Sequence, residues 1–329
     1  MDAASRDTAL RPMSAGLVLD RTFQIYRSHF VALAGIGVLL PALLFLLRLA
    51  FVPLGYPPRG GAAARDPLAF LTIFLEYIAC WILVYMIGHA LTGAATVYAV
   101  SKMHLGESVT IAECYRKTLP RFWSVLRIAW NIYLRFAGAG VATYIACVLV
   151  VVGWTAVSEL AIAGASKGLL ITVAVVLGVA AGLAGLFWML YLYAKYCLAV
   201  PASVVENLPA RSALKRSRFL AKGSIRKIIL IYGLMLVLGF VLSIVFWLPG
   251  QSYVTLFRGR SYMVAILLRS LGSFFAGVLA GPIGTIAVAL MYYDQRVRKE
   301  AFDLQWMMES MAQPIPPPPP EEPVAIPQP

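Results

Sequence analysis

IILIYGLMLVLGFVLSIVFWL, residues Ile228–Leu248, runs for 21 positions without a charged side chain. As a helix it is about 31 Å long at 1.5 Å per residue, the thickness of a bilayer's hydrocarbon core. Inside that core no water satisfies backbone N–H and C=O groups, so a spanning segment is a helix or part of a closed barrel. Barrel strands alternate polar and apolar residues at every second position, and this run does not. Five more runs read the same way: Phe30–Leu47, Tyr77–Val97, Phe136–Trp154, Gly168–Ala194 and Ser270–Tyr293.

Composition agrees. Hydrophobic residues fill 60% of the 329 positions and charged residues 13%, about half the charged share of a soluble domain. The expected fold class is all-α: a polytopic integral membrane bundle of six transmembrane helices, with basic amphipathic helices at the interface. Residues 1–29 form an amphipathic lead-in and 30–293 the transmembrane domain. Residues 294–311 form a charged helix and 312–329 a Pro-rich tail. About thirty mostly polar residues precede the first run, and Arg48 and the Pro-rich stretch Pro53–Pro58 follow it. No small-residue cleavage site is there, so retention of this run is expected.

Orientation follows from the cations. Of 28 Lys and Arg, 21 fall on the N-terminal segment, the second and fourth connections and the C-terminal segment; seven fall on the other side. The positive-inside rule puts both termini in the cytoplasm, here of a bacterial cytoplasmic membrane. Cations that flank spans directly suit anionic lipid headgroups, at about 1 kcal/mol each. No nucleic-acid fold signature accompanies them, so membrane lipid is the expected partner and nucleic acid is not.

A basic amphipathic segment precedes each odd-numbered span: Met13–Phe30, Thr110–Trp123 and Leu208–Gly223. Thr110 and Glu113 read as a capping box, and Pro209 suits a first helical position. Arg211, Lys215, Arg218, Lys222 and Arg226 step by three or four and share one helical face. Ala210, Ala213, Leu214, Ser217 and Ala221 lean away from it. Such a helix lies in the headgroup plane with its cations on anionic lipid. The units recur at about 92 and 103 residues, aligning Phe30 with Phe122 and Ile225, which predicts a threefold parallel repeat of interfacial helix plus two-span hairpin.

Ionisable and polar groups in or beside spans are functional candidates, because inserting a charge at a helix centre costs about 2.5–3.5 kcal/mol. Glu76 and His89 bracket the second span. Arg127, Asn131 and Arg135 share a face before the third, either lining a vestibule or snorkelling to headgroups. Lys195, among Tyr191, Tyr193 and Tyr196, reads as an interfacial anchor. Gly178 with Gly182, and Gly277 with Gly281, have the spacing of close helix packing. Pro282 and Gly284 predict a kink in the last span. The four cysteines and three histidines form no metal-ligand spacing, so no metal or cofactor is expected. The tail PIPPPPPEEPVAIPQP (Pro314–Pro329) is polyproline II in character and offers a surface for a proline-binding protein.

YYDQRVRKEAFDL (Tyr292–Leu304), MSAGLVLDRTFQIYRSHF (Met13–Phe30) and AECYRKTLPRFW (Ala112–Trp123) together resemble the bacterial glycerophosphoryl diester phosphodiesterase membrane-domain proteins. The resemblance covers the chain to about Met311 and implies a six-span membrane module. The catalytic barrel of that enzyme needs roughly 250 residues, and its His-Arg-Gly start and paired acidic ligands are not in this sequence, so no catalytic residue carries over. Three functions are compatible with the residues. The first is a non-enzymatic module engaging lipid or a partner through its basic helices. The second is a transporter or channel for a small solute, which predicts a buried polar cavity. The third is an enzyme acting on lipid headgroups.

Overall fold

The computed structural model describes residues 13–54, 66–104, 107–160, 166–256 and 262–300, and every element among them is helical. The chain runs α1 (Ala15–Ser28), α2 (Phe30–Gly37), α3 (Leu39–Phe51), α4 (Pro67–His104), α5 (Ile111–Thr118), a 3-10 turn (Leu119–Arg121), α6 (Phe122–Leu160), α7 (Ser166–Tyr196), α8 (Ala199–Val205), α9 (Ala210–Ala221), α10 (Ile225–Leu256) and α11 (Tyr262–Glu300). Six helices are long and apolar enough to cross a membrane. Span one is α2 and α3 together; spans two to six are α4, α6, α7, α10 and α11. Pro41 has no N–H to give the carbonyl four residues back, and the helix is interrupted there, at Val38. Span six has 39 residues, about 58 Å, nearly twice the hydrocarbon thickness. It therefore projects well beyond the bilayer.

The chain's threefold recurrence has a structural counterpart. Spans one, three and five begin at Phe30, Phe122 and Ile225, the positions that the repeat aligns. Eight residues before each lie Thr22, Cys114 and Ser217, all fully buried. Each short helix is also tied by a side-chain hydroxyl to a span of another unit. Tyr115 donates to the Ile36 carbonyl of span one (2.7 Å), and Ser217 to the Lys195 carbonyl of span four (3.0 Å). Tyr26 donates to the Leu279 carbonyl of span six (3.0 Å). Unit two latches to one, three to two and one to three, which closes a ring.

These ties change the expected role of the interfacial helices. The apolar side of α9, including Ala213, Leu214, Ser217, Leu220 and Ala221, is buried against the protein, not laid into headgroups. Ser14 caps α1, accepting from the Leu17 N–H. Thr110 caps α5, accepting from the Glu113 N–H at 3.3 Å, while the Glu113 carboxylate accepts from the Tyr98 hydroxyl instead (3.4 Å). Pro209 is the N-cap of α9, one position earlier than expected. Gly223 follows the helix at φ 86°, a conformation that costs a side-chain-bearing residue about 1–2 kcal/mol.

Span six is the hub. Within its most apolar 18-residue window 44% of residues are buried, against at most 11% in any other span. It packs on span one by a reciprocal fit: Pro282 sits in the notch of Gly37 and Pro41 in that of Gly277. A Cβ at those glycines would lie 2.7 and 2.9 Å from the opposing proline ring. The helix runs on through Pro282 to Glu300, and the expected kink is used as a packing wedge. Gly272 lies against the Phe246 carbonyl of span five, and Gly185 against Thr143 of span three. A Cβ at Gly178, Gly182 or Gly281 would have no neighbour within 4 Å, so three of the four glycines with packing spacing face open space and Gly277 alone of them is packed.

Packing is densest at the end carrying Met13 and Glu300, called here the basic end. Asp294, with no exposed surface, is its anchor. Its carboxylate accepts from the Met13 N–H (2.7 Å), Lys227 Nζ (2.6 Å), Arg298 Nε (3.0 Å) and Gln295 Nε2 (3.0 Å). Lys227 and Arg298 also donate to the Met13 carbonyl, at 2.6 and 2.7 Å. A second cluster joins Arg216 Nε to Glu206 (2.9 Å) and Arg216 Nη2 to Glu300 (2.7 Å), with Arg296 on Glu300 (3.3 Å). Burial opposes the Arg216 charge, but the Glu300 and Glu206 carboxylates outweigh it and hold its pKa above the ordinary value. Residues 294–300 are thus part of the packed bundle; 301–329, including the Pro-rich tail, lie outside the described residues.

Candidate functional site

A cavity of about 720 Å³ lies among the spans, and all six contribute to its wall. This is the size range of small-molecule sites, about 300–1,000 Å³. Span two supplies a ridge of four-residue steps, Tyr77, Trp81, Tyr85, His89 and Gly93, the row along which helix side chains stand above one another. Trp81 stacks on Tyr85 (centroids 5.0 Å apart, 13° between planes) and Tyr85 on His89 (5.6 Å, 7°). Span three adds Tyr133, edge-on to Tyr85 at 6.0 Å. Spans four and five add Tyr193 and Tyr232, stacked at 3.6 Å. Span one contributes Arg48, and span six Ser270, Ser273 and Thr285.

The wall is predominantly aromatic and apolar with a few polar groups. His89 lies deep in the bundle yet keeps much of its surface free, because that surface faces the cavity. Among the described residues neither the His89 ring nor the Arg48 guanidinium has a hydrogen-bond or ion-pair partner. The Ser270 hydroxyl is buried with none either. Arg48 is the sole formal charge on the described wall, which contains no Asp or Glu.

The cavity is long. From Tyr77 to Val97 its span-two lining extends over twenty-one residues, about 30 Å of helix. At the basic end it stops at Val97, Val200 and Val288. Beyond them Ala99, Val100, Leu198, Ala199 and Leu290 are fully buried and form a plug. Gly93, Gly281 and Gly284 line it with nothing within 4 Å of a would-be Cβ; their missing side chains are part of its volume.

A second void, also about 720 Å³, is a groove between spans five and six, from Tyr232 to Trp247 on one side and Ser273 to Gly284 on the other. It shares Tyr232, Ser273, Gly277, Gly281 and Gly284 with the cavity. Four of these are a small-residue face of span six, on which Pro41 covers Gly277 while Gly281 and Gly284 have nothing within 4 Å of a would-be Cβ.

Of the ten candidates read from sequence, His89 alone lines the cavity. Glu76 is exposed outside it. Asn131 donates to the Arg127 carbonyl (2.9 Å), and Arg135 donates to the Asn131 carbonyl (2.6 Å) and lies 4.9 Å over the Tyr196 ring. None of those three residues lines the cavity. Arg211, Lys215, Arg218, Lys222 and Arg226 are all exposed. Their single face is broken, because α9 ends before Lys222 and Arg226 belongs to span five. The buried ion pairs of this segment are made instead by Arg216 and Lys227, which the spacing did not single out. The Tyr77–Trp81–Tyr85–His89 ridge was legible as four-residue spacing; Arg48 was legible as a lone charge closing an apolar run. Among the described residues no group of His, Cys, Asp or Glu could hold a metal ion.

No family model, curated protein or solved structure matches the chain.

Proposed function

We propose that this multi-pass membrane protein is a non-enzymatic transporter-like module that takes a small ligand into its bundle, with the basic end in the cytoplasm. The observation that carries this reading is the cavity walled by all six spans, plugged at the basic end and carrying unpaired polar groups. A bundle serving only as an anchor gains nothing from leaving the Ser270 hydroxyl buried without a partner, at about 1–3 kcal/mol, or from setting the His89 ring on a cavity wall with none. A ligand that supplies those bonds offsets the cost. Closure at the basic end is compatible with a binding site whose access alternates. The likeness to the phosphodiesterase membrane-domain proteins is compatible with this, since it implies the membrane module and no catalytic residue.

The test is native mass spectrometry of the detergent-purified full chain with co-purified small molecules retained. Gly93→Leu fills the cavity and is expected to remove a bound adduct, whereas Gly178→Leu, which points into open space, keeps it. A wild-type protein without an adduct, or an adduct indifferent to Gly93→Leu, overturns the proposal.

A second reading keeps its own support: Arg211, Lys215, Arg218, Lys222 and Arg226 are exposed, and among the described residues no side-chain bond occupies them. They are available to anionic lipid or an acidic partner. Replacing Arg211, Lys215, Arg218 and Lys222 with Gln should strip retained anionic lipid in the same measurement; retention refutes this reading.

A further inference from the structure

We infer that the ligand is a single-chain amphiphile with an anionic head, and that it enters the cavity sideways from the bilayer between spans five and six. The inference rests on the cavity being a ligand site and adds the ligand's chemistry and its route. Bilayer hydrocarbon fills any lipid-facing groove, since no water is there to do so. The groove between spans five and six carries exposed Phe240, Ile244 and Trp247, an apolar surface that suits an acyl chain. Where it meets the cavity, span six presents Ser273, Gly277, Gly281 and Gly284. Pro41 covers Gly277, but at Gly281 and Gly284 nothing lies within 4 Å of a would-be Cβ, and a chain can pass there without a large side chain moving.

The charge on the wall selects the head. Arg48 has no partner among the described residues and the described wall has no carboxylate, so an isolated cation is disfavoured there and an oxyanion is favoured. Arg48 is eleven residues beyond Gly37 along span one, about 16 Å, toward the end away from the plug. With its head at Arg48, a ligand keeps roughly the depth of a lipid headgroup. Only its tail exchanges bilayer for cavity, apolar for apolar, and the head never crosses hydrocarbon. The tail then lies along the aromatic ridge toward Gly93. A carboxylate or a phosphate head satisfies the same chemistry.

The full-length protein in phosphatidylcholine nanodiscs is offered labelled oleate, labelled lysophosphatidate, or butyrate as a chainless anion, with dodecyltrimethylammonium as a cationic competitor. Saturable binding of oleate or lysophosphatidate is expected, the better binder identifying the head, without competition by the ammonium. Arg48→Gln should weaken it at least tenfold. Ser243→Trp and Ile244→Trp, which plug the groove on its lipid face without touching the cavity, should each slow loading at least tenfold. Gly93→Leu should abolish binding. The inference is overturned if neither long-chain probe binds, if the ammonium competes equally, or if both tryptophan variants load at the wild-type rate. Butyrate binding that Gly93→Leu blocks and the tryptophans leave untouched would sink the lateral route and spare the cavity as a site. Insensitivity of every probe to Gly93→Leu would sink both.

Discussion

Asp294→Ala is the sharpest test of how the basic end is held. The carboxylate has no exposed surface and accepts four donors at 2.6–3.0 Å, two of them cationic. Removing it strands the Lys227 ammonium, whose side chain is 19% exposed, and leaves the Met13 N–H without its acceptor. Stranding one partner of a buried pair costs about 3–5 kcal/mol. For a chain of this length that lowers the apparent Tm by about 6–10 °C. The readout is thermal unfolding in detergent followed by size-exclusion of the surviving fraction. Glu107→Ala is the control: its pair with Lys102 is 52% exposed on the acidic side, and such pairs contribute about 0–1 kcal/mol. Asp294→Leu combined with Lys227→Met should regain at least half the loss, because no lone charge then stays buried. A Tm for Asp294→Ala within 1 °C of wild type, or equal to that of Glu107→Ala, would refute the anchor.

Two further outcomes follow from packing. Gly272→Ala drives a methyl into the Phe246 backbone carbonyl, which cannot rotate away, and should destabilise by about 1–3 kcal/mol; Gly178→Ala should be neutral or gain up to about 1 kcal/mol of helix propensity, and the two Tm values must diverge. Gly223→Ala should cost about 1–2 kcal/mol through its φ of 86°, a loss that Gly223→Asn should partly spare.

The spans were readable because a bilayer imposes a rule on every residue within it: a charge-free run must be long enough, and six were. The repeat register was readable too, and Phe30, Phe122 and Ile225 start their helices as aligned. What sequence withheld is pairing at a distance. Asp294 reads as the first residue of a solvated tail until Met13, 281 positions away, is set beside it. Likewise, spacing cannot tell Gly178, which faces nothing, from Gly277, which receives Pro41. Among the cations of residues 211–227, periodicity favoured those that stay free. Arg216 and Lys227, off the pattern, are the ones drawn into the protein by carboxylates on span six. The cavity combined both limits. Its span-two ridge had a visible period, but Tyr133, Tyr193 and Tyr232 come together only when four helices pack.

The ring of latches also sets an order on biogenesis. The chain leaves the ribosome from its N-terminus, so residues 13–28 are made long before their partners Lys227, the Leu279 carbonyl and Asp294. Unit two can latch to unit one and unit three to unit two as each emerges. The Tyr26 latch of unit one cannot close until span six is in place. A nascent or truncated chain that lacks span six therefore carries an unclosed ring. Completion of the last helix is the event that converts a row of hairpins into a closed molecule.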